Sequence, residues 1–289
     1  MGMFRDRHSA TPAAPANAEP PAPAGGQQGL LEARLRDAVV AGRFHLHYQP
    51  VVSVLDGRLR AVEALLRWES DTGRVAPDTF IPVLEATGLI REVGPWILAQ
   101  ACRQARSWLD TDPNLLVAVN VSPNQIGPDF ADSVLDVLTD TGLPAAQLCL
   151  ELIRPAAIAD PVAAWNELRR VKSYGVRLFV DDFGALGSSI ADLRRFAVDA
   201  VKIDPSLVAG LGRDPGDEAI VTALVSLAHA LGMQAIAEGV ETEAQLQRLR
   251  ALGCDLAQGY HLSEPLAPAA IAVQLEAPAA APAAVDVRL

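Results

Sequence analysis

Leu178-Phe179-Val180-Asp181-Asp182-Phe183-Gly184 decides how this chain is read: three apolar, strand-forming residues run into two adjacent carboxylates, and a glycine ends the pattern. Two like charges at the rim of a core repel each other and lose hydration, and the usual compensation is a basic side chain or a metal ion. Taken alone, the stretch reads equally as a polar turn that starts a loop. The same design recurs along the chain, and that recurrence favours the cation.

Outward from this stretch, strand-type and helix-type periods alternate. Strands are expected over 44–54, 59–68, 115–121, 147–153, 176–182, 200–203, 234–238 and 256–259. Helices are expected over 30–41, 79–87, 95–109, 129–139, 161–173, 189–195, 217–231, 243–252 and 268–275. Asp56-Gly57 makes a tight turn, so the second strand returns antiparallel to the first. Eight strands with intervening helices in about 250 residues match a closed α/β barrel of the (β/α)8 type. An open doubly wound sheet is the alternative, but no Gly-x-Gly-x-x-Gly turn follows the first strand.

The chain has 289 residues, half of them hydrophobic, which is enough for a large core. Its formal net charge of -11 argues against a partner that is a nucleic-acid polymer. A phosphorylated small ligand stays open, because bound divalent metals invert the local sign. Cys102, Cys149 and Cys254 have apolar or helix-like neighbours and no Cys-x-x-Cys spacing, so free buried thiols in a reducing compartment are expected. No apolar run reaches the length of a membrane span and no hydrophobic signal core opens the chain. Direct membrane insertion is therefore not expected, and the protein reads as cytoplasmic. Residues 1–28 and 277–289 have the composition of disordered tails and leave 29–276 as the domain.

A polar residue sits within or just after seven successive apolar runs: Glu63, Asn120, Glu151, the Asp181-Asp182 pair, Lys202, Glu238 and Gln258. In a barrel these positions face the mouth formed by the C-terminal strand ends, where chemistry collects. Oxygen ligands without cysteine suit hard cations such as Mg2+ or Mn2+. So many carboxylates exceed the need of one ion, and two ions about 4 Å apart are the arrangement of in-line phosphodiester hydrolysis. Lys202 amid these acids could orient a water or stabilise phosphoryl charge. Each residue singly reads as a charge that finishes a strand; the set together reads as a site. His261, His229, His45 and His47 read as structural or surface histidines.

Tyr48-Gln49-Pro50, Glu63-Ala64-Leu65-Leu66-Arg67-Trp68, Asn120-Val121-Ser122, Asp181-Asp182-Phe183-Gly184, Lys202-Ile203-Asp204, the run from Ala237 to Thr242 and Gln258-Gly259-Tyr260 occur in the order of one family. Over roughly 30–272 the chain resembles the EAL-domain cyclic di-GMP phosphodiesterases. The resemblance implies a modified TIM barrel with an antiparallel first strand, in agreement with the hairpin above. It implies hydrolysis of cyclic di-GMP to linear pGpG by a water held between two Mg2+ or Mn2+ ions. Glu63, Asn120, Glu151 and Asp181 match ligands of one ion; Asp182 matches a ligand of the second, with Glu238 as ligand or general base; Gln258 also falls at a ligand position. Lys202 matches the lysine near the nucleophilic water, Glu241 a supporting residue, and Gln49, Leu65 and Arg67 positions that meet the nucleotide. A homodimer, and a sensory or diguanylate-cyclase domain in a longer parent chain, belong to the same expectation.

Two places depart from the family. Ala185-Leu186-Gly187-Ser188-Ser189 stands where it usually has Thr-Gly-Tyr-Ser-Ser, and Ile153-Arg154 where it usually has threonine and a second glutamate. In the family that glutamate anchors the loop after the paired aspartates. A shift of Asp182 by about an ångström would cost roughly a hundredfold in rate. The expectation is therefore a slow or regulated hydrolase, with a noncatalytic cyclic di-GMP receptor, acting by protein contact, as the second reading.

Overall fold

Phe44–Ser53 (β1) and Leu59–Ser70 (β2) fold back on each other as the Asp56-Gly57 turn predicts, with Gly57 in the left-handed region at φ 68°. Their register sets Gln49 opposite Glu63. In this computed structural model, residues 24–71, 73–152, 160–184, 193 and 197–276 are described. The strands that follow are Gly73–Val75 (β3), Leu116–Val121 (β4), Leu148–Leu152 (β5), Arg177–Phe183 (β6), Ala200–Ile203 (β7), Gln234–Ala237 (β8) and Leu256–Ala257 (β9). From β2 through β4 to β9 each strand pairs parallel to the next, and β1 lies antiparallel between β9 and β2, which closes an eight-stranded barrel. Short β3 only extends the outer end of β2. The architecture is the modified TIM barrel that the sequence implies.

The described helices are Ala24–Val40 (α1), Pro77–Thr87 (α2), Ile90–Trp108 (α3), Phe130–Thr141 (α4), Pro161–Ser173 (α5), Pro205–Ala209 (α6), Pro215–Ala230 (α7), Glu243–Ala251 (α8) and Pro268–Glu276 (α9). Two helix starts and one short helix depart from expectation. Helix α1 begins at Ala24, ahead of the apolar period at 30, and α3 begins at Ile90 with Pro95 inside it. A proline there costs one backbone bond early in a helix whose buried face, Val93, Leu98, Ala101 and Cys102, carries it. One-turn α6 escaped the periodicity because it is shorter than a full apolar repeat; Asp204 caps it, accepting from Ser206 N at 2.7 Å. The helix expected over 189–195 lies, apart from Leu193, outside the described residues. No helix among the described residues is long and apolar enough to cross a membrane.

Strand alternation fills the lumen in layers. The middle layer is Val51, Ala61, Leu116, Ala118, Cys149, Phe179, Ala200, Ile236 and Leu256, a buried apolar cluster of its own. Two residues further toward the mouth on the same strands stand Gln49, Glu63, Asn120, Glu151, Asp181, Lys202, Glu238 and Gln258. The period of two thus converts an apolar plug into a polar ring within one step of each strand. The helix shell packs outside on a second cluster, in which Phe44, Trp68 and Phe80 form an aromatic knot with ring centroids 5.7–6.2 Å apart.

Phe179 is the plug's only aromatic side chain and is 2% exposed. Phe179→Ala is expected to cost about 3–5 kcal/mol of unfolding free energy by urea titration; a loss below about 1 kcal/mol would show that the lumen collapses onto the gap.

Candidate active site

Lys202 is the hub of the polar ring. Its Nζ lies 2.8 Å from Glu151 Oε2, 2.8 Å from Glu238 Oε1, 3.2 Å from Glu63 Oε2 and 3.6 Å from Asp181 Oδ1. Lys202 projects from β7 into the lumen of the closed barrel, where its ammonium meets carboxylates from β2, β5, β6 and the end of β8. Glu63 is further held by two amides: Asn120 Nδ2 donates to its Oε1 at 2.6 Å and Gln258 Nε2 to its Oε2 at 2.7 Å. Gln258 Nε2 also donates to Gln49 Oε1 at 2.9 Å, and Gln49 Nε2 to the Ser263 carbonyl at 3.1 Å. The antiparallel β1 is what brings Gln49 to this ring.

Gln49, Glu63, Glu151, Lys202 and Gln258 are buried, with Asn120, Asp181 and Glu238 partly so, and this burial sets the electrostatics of the ring. Burial pushes the Glu63 carboxyl up, but Lys202 and the Gln258 and Asn120 amides outweigh it and hold the group below the usual carboxylate range. Glu151 goes the other way: burial and the charge of Glu63 raise it well above that range despite Lys202. Burial also pushes Glu238 up to about 8 against the pull of Lys202, with Asp181 and Glu63 adding to the rise. Burial disfavours the Lys202 ammonium, yet the charges of Glu151, Glu238, Glu63 and Asp181 hold it well above the ordinary lysine value. One buried cation thus serves several acids, and the arrangement retains an excess of negative charge.

Asp182 joins the ring by a backbone irregularity. Strict alternation would turn it away from Asp181. Between Val180 and Phe183 the pairing with β7 slips, and Asp182 takes φ 52°, a left-handed value uncommon outside glycine. As a result, one ligand oxygen each from Asp181, Asp182 and Glu238 lie within 4.8 Å of one another. Three carboxylates at that spacing fit a hard divalent cation. Gln258 Oε1 points the same way: it is buried and accepts no hydrogen bond.

The sequence-expected residues divide into three groups. Glu63, Asn120, Glu151, Asp181, Lys202, Glu238, Gln258 and Gln49 form one connected network, and Asp182 adjoins it. Glu241 is exposed at the rim of a cavity of about 240 Å3 that it lines with Gln49, Glu63, Glu238, Gln258 and Tyr260. Leu65 and Arg67 stand further out along β2, on the strand face of Glu63; both are half-buried, and Arg67 Nη1 donates to the Leu66 carbonyl at 2.9 Å. Ile153, Arg154 and Ala185 to Ser189 lie outside the described residues.

Gly239, Gly259 and Ser263 escaped the sequence reading as site parts. A Cβ on Gly259 would meet Val240 backbone atoms at 2.2 Å, so only glycine lets the Gln258 segment close on Val240, whose N donates to Gln258 O at 3.0 Å. Gly239, at φ 67°, would drive a Cβ to 2.7 Å from Pro205 Cβ. A glycine directly after a polar strand end was the available signal. Ser263 contributes only a carbonyl, which no side-chain pattern encodes.

The family model described as EAL domain matches residues 32–265. The bifunctional diguanylate cyclase/cyclic di-GMP phosphodiesterase MucR of Pseudomonas aeruginosa is 41% identical over 237 residues, which cover 80% of this chain and 34% of MucR. The cyclic di-GMP phosphodiesterase NbdA of the same organism is 39% identical over 248 residues, 85% of this chain and 32% of NbdA. The chain thus spans about a third of the length of these two relatives. Among solved structures, the PaMucR phosphodiesterase in complex with c-di-GMP aligns with a TM-score of 0.79 at 39% identity, over 84% of this chain and 99% of that one.

Removing the hub should leave its buried acids uncompensated. Lys202→Met is expected to destabilise the protein in EDTA by about 3–5 kcal/mol by urea titration, and an unchanged midpoint would refute the hub.

Proposed function

This chain belongs to the EAL domain family, and on that premise we propose that it hydrolyses cyclic di-GMP to linear pGpG at the mouth of the barrel. The observation that carries the reading is the ring of oxygen donors, with Asp181, Asp182 and Glu238 within 4.8 Å of one another beside Lys202. The named activities of MucR and NbdA and the c-di-GMP complex of PaMucR support it.

In our reading two divalent ions, Mg2+ or Mn2+, complete the site. Glu63, Asn120, Glu151 and Asp181 would hold one; Asp182, with Glu238, would hold the other, and Gln258 supplies a further oxygen. When bound, the ions activate a water molecule and neutralise charge on the phosphoryl group. Glu238 accepts the proton that the water gives up as its oxygen bonds to phosphorus. The bond from phosphorus to the 3′ oxygen breaks, that oxygen takes up a proton, and the product keeps a 5′ phosphate. Lys202 Nζ, already among the acids, turns to the phosphoryl oxygens and stabilises their charge. Gln49 meets a guanine, the planar fork of Arg67 suits a phosphate oxygen pair, Leu65 belongs to the same substrate-binding positions, and Glu241 supports the rim.

The departures at Arg154 and Ala185-Leu186-Gly187 make us read this hydrolase as slow or partner-regulated. The double name of MucR supports a diguanylate-cyclase domain as partner; a sensory domain, a homodimer, a cytoplasmic setting and a domain over 29–276 belong to the same reading. Release of pGpG with Mn2+ or Mg2+ is the expected result, and binding of cyclic di-GMP without turnover under both ions would replace the hydrolase by a receptor. Glu63→Ala is expected to abolish turnover, and unchanged turnover would remove the site assignment.

A further inference from the structure

The other end of the barrel carries a second concavity, of about 630 Å3, lined by residues at or next to the N-terminal ends of six parallel strands. Its chemistry is opposite to that of the mouth. Arg60, Arg177 and Arg250 converge on it, with the amide side chains of Asn114, Gln147 and Gln234 among them. In a chain of net charge -11, three guanidinium groups around one hollow run against the overall field.

Much of this donor capacity is uncommitted. Arg250 spends its Nε on the Val54 carbonyl at 2.9 Å, and Arg60 places one Nη 2.9 Å from Asp56 Oδ2, which leaves each guanidinium further N–H groups. Arg177 opens β6 and, by alternation with Phe179 and Asp181, stands on the lumen face; it pairs with no carboxylate among the described residues. Asp255, the acid on the wall, already has its Oδ2 engaged by Ala235 N at 2.8 Å and His229 Nε2 at 2.9 Å. The apolar plug separates this hollow from the acidic ring, so neither end neutralises the other.

From these observations we infer that the N-terminal end of the barrel is a binding site for a soluble polyphosphorylated small molecule. Planar guanidinium forks match phosphate oxygen pairs, the neutral amides add donors without cancelling charge, although Gln147 Nε2 already donates to the Pro113 carbonyl at 3.2 Å, and the volume is that of a small-molecule site. The site stands apart from the hydrolase reading and needs no metal.

Inorganic pyrophosphate, titrated calorimetrically into EDTA-treated protein, tests it. Saturable binding to one site is expected, weakened about tenfold by Arg177→Gln and by Arg60→Gln; no saturable binding, or an affinity in both variants unchanged from that of the unsubstituted protein, would overturn the site. Arg177→Lys, which keeps the charge and loses the fork, should fall between, and guards against a folding defect in the glutamine variant. Phosphatidylglycerol vesicles form the second arm: Arg177-dependent sedimentation with them in place of pyrophosphate binding would overturn the soluble ligand. Because the protein is metal-free throughout, failure of the hydrolase reading leaves the outcome unaffected.

Discussion

Everything at the mouth depends on one ammonium standing among four carboxylates. A barrel brings the inward residues of neighbouring strands to one level, and here the level holds Glu63, Glu151, Asp181 and Glu238. Such a set is unstable without compensation, because each acid loses hydration and feels the others. Lys202, 1% exposed, supplies part of the compensation, and the amides of Asn120 and Gln258 supply part of the rest. The excess of negative charge that remains is what a divalent cation would meet, so the same imbalance that burdens the fold equips the site.

The remaining architecture serves this ring. The apolar layer below it gives the barrel the burial that the ring cannot provide, and it isolates two ends of opposite electrostatic character. The antiparallel β1 carries Gln49 to Gln258 and completes the hydrogen bonds around Glu63, a link across 209 positions of sequence. Close approaches at Gly239 and Gly259 bring the segments after β8 and β9 tight against their neighbours.

Much of this was legible before any coordinates. Apolar runs that end in a polar residue gave the strands, the Asp56-Gly57 turn gave the reversal between the first two of them, and the recurrence of the pattern put the polar ends at one level. The limits have physical causes. Lys202 read as a group for water or phosphate, because pairings with residues up to 139 positions away depend on which strands become neighbours. Alternation alone would have excluded Asp182 from the ring; a slip in pairing and a left-handed backbone at a non-glycine residue put it there, and neither follows from residue type. Pro95 misled because a buried helical face outweighed its local cost. The opposite hollow went unread because Arg60, Arg177 and Arg250 share no motif and meet only through the closure of the cylinder.

The backbone of Asp182 bears on how such a barrel can change over generations. At φ 52° glycine would rest without strain, and asparagine about as easily as aspartate. Either exchange would also remove a negative charge from a crowded place. The backbone at this position therefore admits drift to glycine or asparagine, and selection for the chemistry opposes it. A lineage released from that selection can exchange the residue at no backbone cost and keep the barrel's shape while losing its reactivity.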